Sequence, residues 1–218
     1  FSDTEGAECN KSRIEAVKKN SVGACAPYRR LHLCDQHLSR MKSDKINTKD
    51  NLLLEVSLAA QYEGASISSQ HGKYHTDNSG SPICTVLARS FANIGDIVRG
   101  KDLYSGNSKE KKQRDKLEQK LKEIFKKIYE ELKGAKTHYE GDEANNFFQL
   151  REDWWNANRQ EVWKAITCDA GNAQYVGLTC SEGGSSAHEK CTCASGDVPT
   201  YFDYVPQFLR WFEEWAED

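Results

Sequence analysis

SPICTVLARSFANIGDIVRG, residues 81–100, decides the fold. Ser81 and Pro82 suit an N-cap followed by a first helical position. Ile83, Leu87, Phe91, Ile94 and Val98 then recur at steps of three or four, one face of an α-helix. Gly100 stands where a C′ glycine stops a helix. The spacing predicts a helix over 82–99. Working outward, Leu52, Leu53, Val56 and Ala60 predict a helix over about 51–62. Leu117, Leu121, Ile124, Phe125, Ile128 and Leu132 give an apolar stripe for 109–133. Trp155, Val162, Trp163 and Ile166 do the same for 147–167. A last helix from about Pro206 is expected to bury Phe208, Leu209, Phe212 and Trp215. The Gly/Ser/His-rich stretch 64–82 reads as an exposed loop, and 167–200 as a Gly/Ser-rich loop with four cysteines. No long run alternates as a strand does. The expected fold is mainly α, a disulfide-stapled helical bundle with long loops. Residues 1–50 form a loop-rich N-terminal subdomain and 51–218 the helical-bundle subdomain.

The chain has 218 residues and a formal charge of −3. Its mean hydropathy is −0.77, so five Trp, eight Phe and nine Tyr must fill much of the core, each burying roughly 150–250 Å². The net charge excludes bulk nucleic-acid binding. No apolar run approaches the length that crosses a bilayer, and no signal peptide opens the chain. The chain ends abruptly within an amphipathic stretch and is read as a piece of a longer protein. No catalytic or cofactor fingerprint is present; neither an enzyme nor a cofactor is expected.

Eight cysteines in this length point to disulfides in an oxidising compartment. The rival is a cytosolic, zinc-stabilised helical interaction module. It would draw on Cys180, His188, Cys191 and Cys193, although C-x-C is an unusual zinc spacing. No metal site is assigned.

Residues 109–136 hold eleven Lys and Arg against six Asp and Glu, a local charge of +5. Lys109, Lys111, Lys112, Arg114 and Lys116, at its N-terminal end, are candidate ligands for a polyanion such as a sulfated glycan. The other reading is a solvated helix face laced with pairs such as Glu118–Lys122 and Glu123–Lys127. Lys18, Lys19, Arg29 and Arg30 are a second basic set. For Arg29 and Arg30 the alternative role is pairing with a carboxylate of the next subdomain. The tryptophans fall at helical spacings and read as core rather than as a sugar-stacking site.

Four motifs stand together in order: CAPYRRLHLC at 25–34, ARSFANIGDIVRG at 88–100, REDWWNANRQEVW at 151–163 and PTYFDYVPQFLRWFEEW at 199–215. Their wording resembles the Duffy-binding-like alpha domain of malarial (Plasmodium falciparum) erythrocyte membrane protein 1, which usually has Asp where Asn93 stands. The resemblance spans nearly the whole chain. It implies the first two subdomains of that fold, before a third. It also implies a virulence-associated, antigenically variable adhesion domain on the extracellular face of the infected erythrocyte membrane, within a larger membrane protein whose transmembrane anchor lies outside this chain. The partners it implies are host red-cell or endothelial surface receptors, heparan sulfate-type or blood-group glycans, and antibodies, with rosetting and cytoadherence as the outcome. It further implies a Cys9–Cys25 disulfide. Cys84, opening one helix, is paired with Cys168, closing another. Cys180 takes one member of the C-x-C, set as Cys193. Cys34 and Cys191 are then expected to have partners beyond the chain ends.

Overall fold

A computed structural model of the chain describes residues 25–74 and 83–217. Its helices are α1 (Tyr28–Leu31), α2 (Gln36–Arg40), α3 (Lys49–Tyr74), α4 (Ile83–Arg99), α5 (Ser108–Glu131), α6 (Phe148–Ile166) and α7 (Gln207–Glu217). No strand occurs among the described residues. Isolated bridges join Cys180 to Ser185 and His188 to Thr192.

α4 is the central element, and all but its first and third residues are buried. Its apolar stripe alone does not explain that, because Ser90, Asn93, Asp96 and Arg99 are buried too. Elements pack on every side of it. α6 runs antiparallel to it: Arg151 reaches the carbonyls of Val98 and Ile97, while Trp163 lies 5.1 Å edge-on to Phe91. Phe91 also packs 5.1 Å from Trp155. Trp154, beside it in sequence, turns the other way, edge-on to Phe125 of α5, and donates to the Lys49 carbonyl. The adjacent tryptophans therefore join α6 to two neighbours within one core. α4 ends as its sequence directs. Gly100 adopts φ +73°, and Lys101 N–H closes back on the Asp96 carbonyl at 2.8 Å, the Schellman geometry.

α3 and α6 run side by side in the same direction, from Lys49 beside Trp154 to Gly64 against Ile166. This corrects the expected loop over 64–82: the helix continues through Gly64 to Tyr74. The glycine is a point of close backbone approach rather than a break. A β-carbon there would collide with the Ile166 carbonyl, and Ile67, one turn on, is buried. Gly64→Ala is therefore expected to destabilise the domain by about 2 kcal/mol in urea denaturation. Alanine gains ~1 kcal/mol of helix propensity, and overpacking against a backbone atom costs about 3 kcal/mol. Unchanged stability would show that the helices slide apart at no cost.

The last helix reverses its expected orientation. Gln207, Arg210, Trp211 and Glu214 of α7 are buried, whereas Phe208, Leu209, Phe212 and Trp215 are 41, 48, 70 and 43% exposed. The cause is polar. Gln207 Nε2 donates to Asp102 at 2.9 Å and its Oε1 accepts from Leu103 N–H at 2.7 Å. Arg210 pairs with Asp96 and donates to the Val205 carbonyl. Glu214 accepts from Arg29 at 3.0 Å. α4 and its following loop offer this helix buried carboxylates and amides, and only its polar edge answers them.

Candidate functional site

α5 begins with a capping box. Asn107 accepts from the N–H groups of Lys109 and Glu110, and the Glu110 carboxylate accepts from Asn107 N–H. This fixes the direction in which the basic N-terminal turns leave the bundle. Lys109, Lys112 and Lys116 are exposed. At 3.6 residues per turn they fall within one narrow stripe. None of the three forms an ion pair among the described residues, so their charges face solvent uncancelled. Lys111 is half-buried and lies about a quarter-turn or more round the helix from them.

Arg114, Arg29 and Arg30 are drawn inward, which corrects their placement as glycan ligands on a free surface. Arg30 is fully buried. Its Nε donates to Asp102 at 2.9 Å, and its second nitrogen completes a bidentate pair. Its guanidinium also lies over the Tyr104 ring. Arg114 pairs with Asp35 and stands 3.7 Å from Asp102. Burial pushes the Asp102 carboxyl up, but the Arg30 and Arg114 guanidinia overcome it and hold it below the usual carboxylate range. Burial, with Arg30 alongside, pushes Arg114 below its ordinary value. Arg29 is spent on Glu214. The Pro-Tyr-Arg-Arg segment thus joins the N-terminal residues to the loop after α4 and to α7. Lys18 and Lys19 lie outside the described residues.

A second polar node lies across the bundle. Asp203 is buried and accepts from Trp155 Nε1 at 2.8 Å, Arg159 Nε at 2.8 Å and Arg159 Nη2 at 2.6 Å. Arg159 also donates to the Thr200 carbonyl. Asp96, between Arg99 and Arg210, is raised above the ordinary carboxylate value because burial outweighs both cations. These nodes lock helices together, and sequence periodicity gave no sign of them.

The disulfides revise the expected map. Cys84 is bonded to Cys191, and Cys180 to Cys193. Cys84 does not pair with Cys168, which is free and exposed, and Cys191 needs no partner beyond the chain. Trp163 explains the choice. Its Nε1 donates to the Cys191 carbonyl at 3.0 Å, drawing the C-x-C strip over the start of α4, while Cys168 faces outward beyond the end of α6. Cys25 is disulfide-bonded; its expected partner Cys9 lies outside the described residues. Cys34 is a free, half-buried thiol, pushed up to about 12 by burial and by Glu63 beside it. With Cys180, Cys191 and Cys193 oxidised, these sulfurs are not zinc ligands.

The Duffy binding domain family model matches residues 23–210. The NTS-DBL1(alpha-1) domain of the Plasmodium falciparum membrane protein 1 (PfEMP1) of the varO strain is 43% identical, with a TM-score of 0.80, over 100% of this chain and 48% of its own. The NTS-DBL1-alpha and CIDR-gamma double domain of the same protein and strain is 46% identical, with a TM-score of 0.81, over 100% of this chain and 31% of its own. A DBLb domain of PfEMP1 bound to human ICAM-1 is 30% identical, with a TM-score of 0.70, over 98% of this chain and 43% of its own. The chain spans less than half the length of these solved chains. No match was found among curated proteins.

Proposed function

Because the chain belongs to the Duffy binding domain family, we propose that it is part of an extracellular adhesion domain. It would act at the surface of infected erythrocytes, in rosetting and cytoadherence, by binding host-cell receptors and their sulfated glycans. Support for receptor binding comes from the relatives, one of them seen with human ICAM-1. Support for a glycan comes from one observation: Lys109, Lys112 and Lys116 share one exposed stripe and form no ion pair among the described residues. A linear polyanion on such a stripe releases counterions and gains affinity without any shaped pocket. The chemistry this reading needs is electrostatic recognition, with no covalent step.

The test is heparin binding at two salt concentrations. Affinity is expected to fall steeply between low and physiological salt. Reversing Lys109, Lys112 and Lys116 to glutamate together should weaken binding about tenfold or more at low salt, with the melting temperature unchanged. Binding that survives the triple reversal would put the glycan site elsewhere.

A further inference from the structure

The stripe on α5 does not stop at the helix edge. α2 and the loop after it lie along α5 and are tied to it by three contacts that leave positive charge standing. Lys120 Nζ donates to the Ser39 carbonyl at 2.8 Å. Lys127 Nζ donates to the Ser43 carbonyl at 2.6 Å and to Asn47 Oδ1 at 3.1 Å. These acceptors are neutral, so each ammonium is held in place with its charge intact. Beside the Lys120 anchor stands Arg40, exposed, whose nearest polar partner is the neutral amide of Gln36 at 3.5 Å. Lys42 follows, also exposed. The carboxylates nearby are outnumbered. Asp35 is neutralised by Arg114, whereas Glu123, which accepts the neutral Ser43 hydroxyl, and Asp115 on α5 are exposed and keep their charge. Asp44 is the exposed acid of the loop.

We infer that the anionic-glycan surface is a track crossing two elements: Lys109, Lys112 and Lys116 on α5, Lys120 at the crossing, and Arg40 and Lys42 on α2 and its loop. The inference rests on the glycan reading above and adds a direction and a second half to it. Arg40 supplies what the lysines do not, a planar fork matched to a sulfate or carboxylate. A long sulfated polysaccharide spans both halves. A short oligosaccharide fits on the α5 half alone. Long chains therefore gain affinity from the second half by an intramolecular second contact.

The experiment measures binding of long heparin and of a short heparin oligosaccharide to three proteins: the unaltered chain, Arg40→Glu with Lys42→Glu, and the α5 triple reversal. A fourth, Arg40→Gln with Lys42→Gln, removes charge without adding any. The α2-side changes are expected to weaken long heparin about tenfold while leaving the short oligosaccharide as it was. The triple reversal should weaken both. Long heparin held at full affinity by both α2-side variants, with the triple reversal still harmful, overturns the track and leaves the α5 site standing. Equal loss of long and short ligands from the α2-side variants also overturns it, since the two halves would then be one small site. Full binding by every variant removes the glycan reading itself.

Discussion

Replacing Asp203 with alanine is expected to destabilise the domain by about 3–5 kcal/mol, the range for removing one partner of a buried ion pair. The side chain is almost completely buried and takes three hydrogen bonds, two from Arg159 and one from Trp155. Alanine leaves a buried guanidinium without its counter-ion and an indole N–H without an acceptor, and each is costly in a low-dielectric interior. The guanidinium also sits over Phe91 and Tyr204 and its side chain is only 10% exposed. The ion pair itself is a different quantity. Arg159→Met with Asp203→Leu removes both charges and should cost much less than the sum of the single changes. Urea denaturation of the three variants checks this. A loss below about 1 kcal/mol in Asp203→Ala would mean that water reaches Arg159 and the node is not buried in solution.

The Cys84–Cys191 disulfide carries the second large effect. Its cysteines are 107 residues apart, against 13 for Cys180–Cys193. In the chain-entropy model, closing a loop of about 100 residues stabilises by roughly 4–5 kcal/mol, and a loop of about 15 by roughly 3. Cys84→Ala with Cys191→Ala should therefore lower stability by about 4–5 kcal/mol, and Cys180→Ala with Cys193→Ala by about 3 kcal/mol. Alanine avoids burying a new hydroxyl. Thermal unfolding without reductant measures both, and non-reducing peptide mapping checks the pairing. A larger loss from the 180–193 pair than from the 84–191 pair would show that loop length is not the controlling quantity. A mapped Cys84–Cys168 peptide would contradict the fold around Trp163.

The helices were legible because their apolar residues recur every three or four positions. The 82–99, 109–133 and 147–167 readings lie within two residues of the observed boundaries at each end. What periodicity could not show was which face of a helix meets what. α7 has the strongest apolar stripe to the eye, and that stripe points outward because Asp96, Asp102 and Arg29 require its polar edge. Those partners lie about a hundred residues away or more, so no local signal announces them. Gly64 misled in the same way. A glycine that ends a helix and one that lets two backbones touch look alike until Ile166 is placed beside it. Among the basic residues, sequence grouped Lys109 to Lys116 by proximity. The helix separates them by angle, and ion pairing withdraws Arg114. The N-cap at Asn107 has a local signal, Asn107 and Glu110 at capping-box spacing three residues apart.

The Cys84–Cys191 bond also sets how the chain answers tension. A pull applied between the N-terminal residues and α7 passes across the bond and never along the 107-residue separation it spans. That segment contains most of α4, all of α5 and all of α6. Fully extended, it would add roughly 370 Å of contour at about 3.5 Å per residue, and while the bond is intact this length stays hidden from the load. Only residues before Cys84 or after Cys191 can be drawn out, together with whatever they share with the ion-paired nodes at Asp102 and Asp96. The basic stripe of α5 lies inside the shielded segment, so tension is not applied along it while the bond is intact.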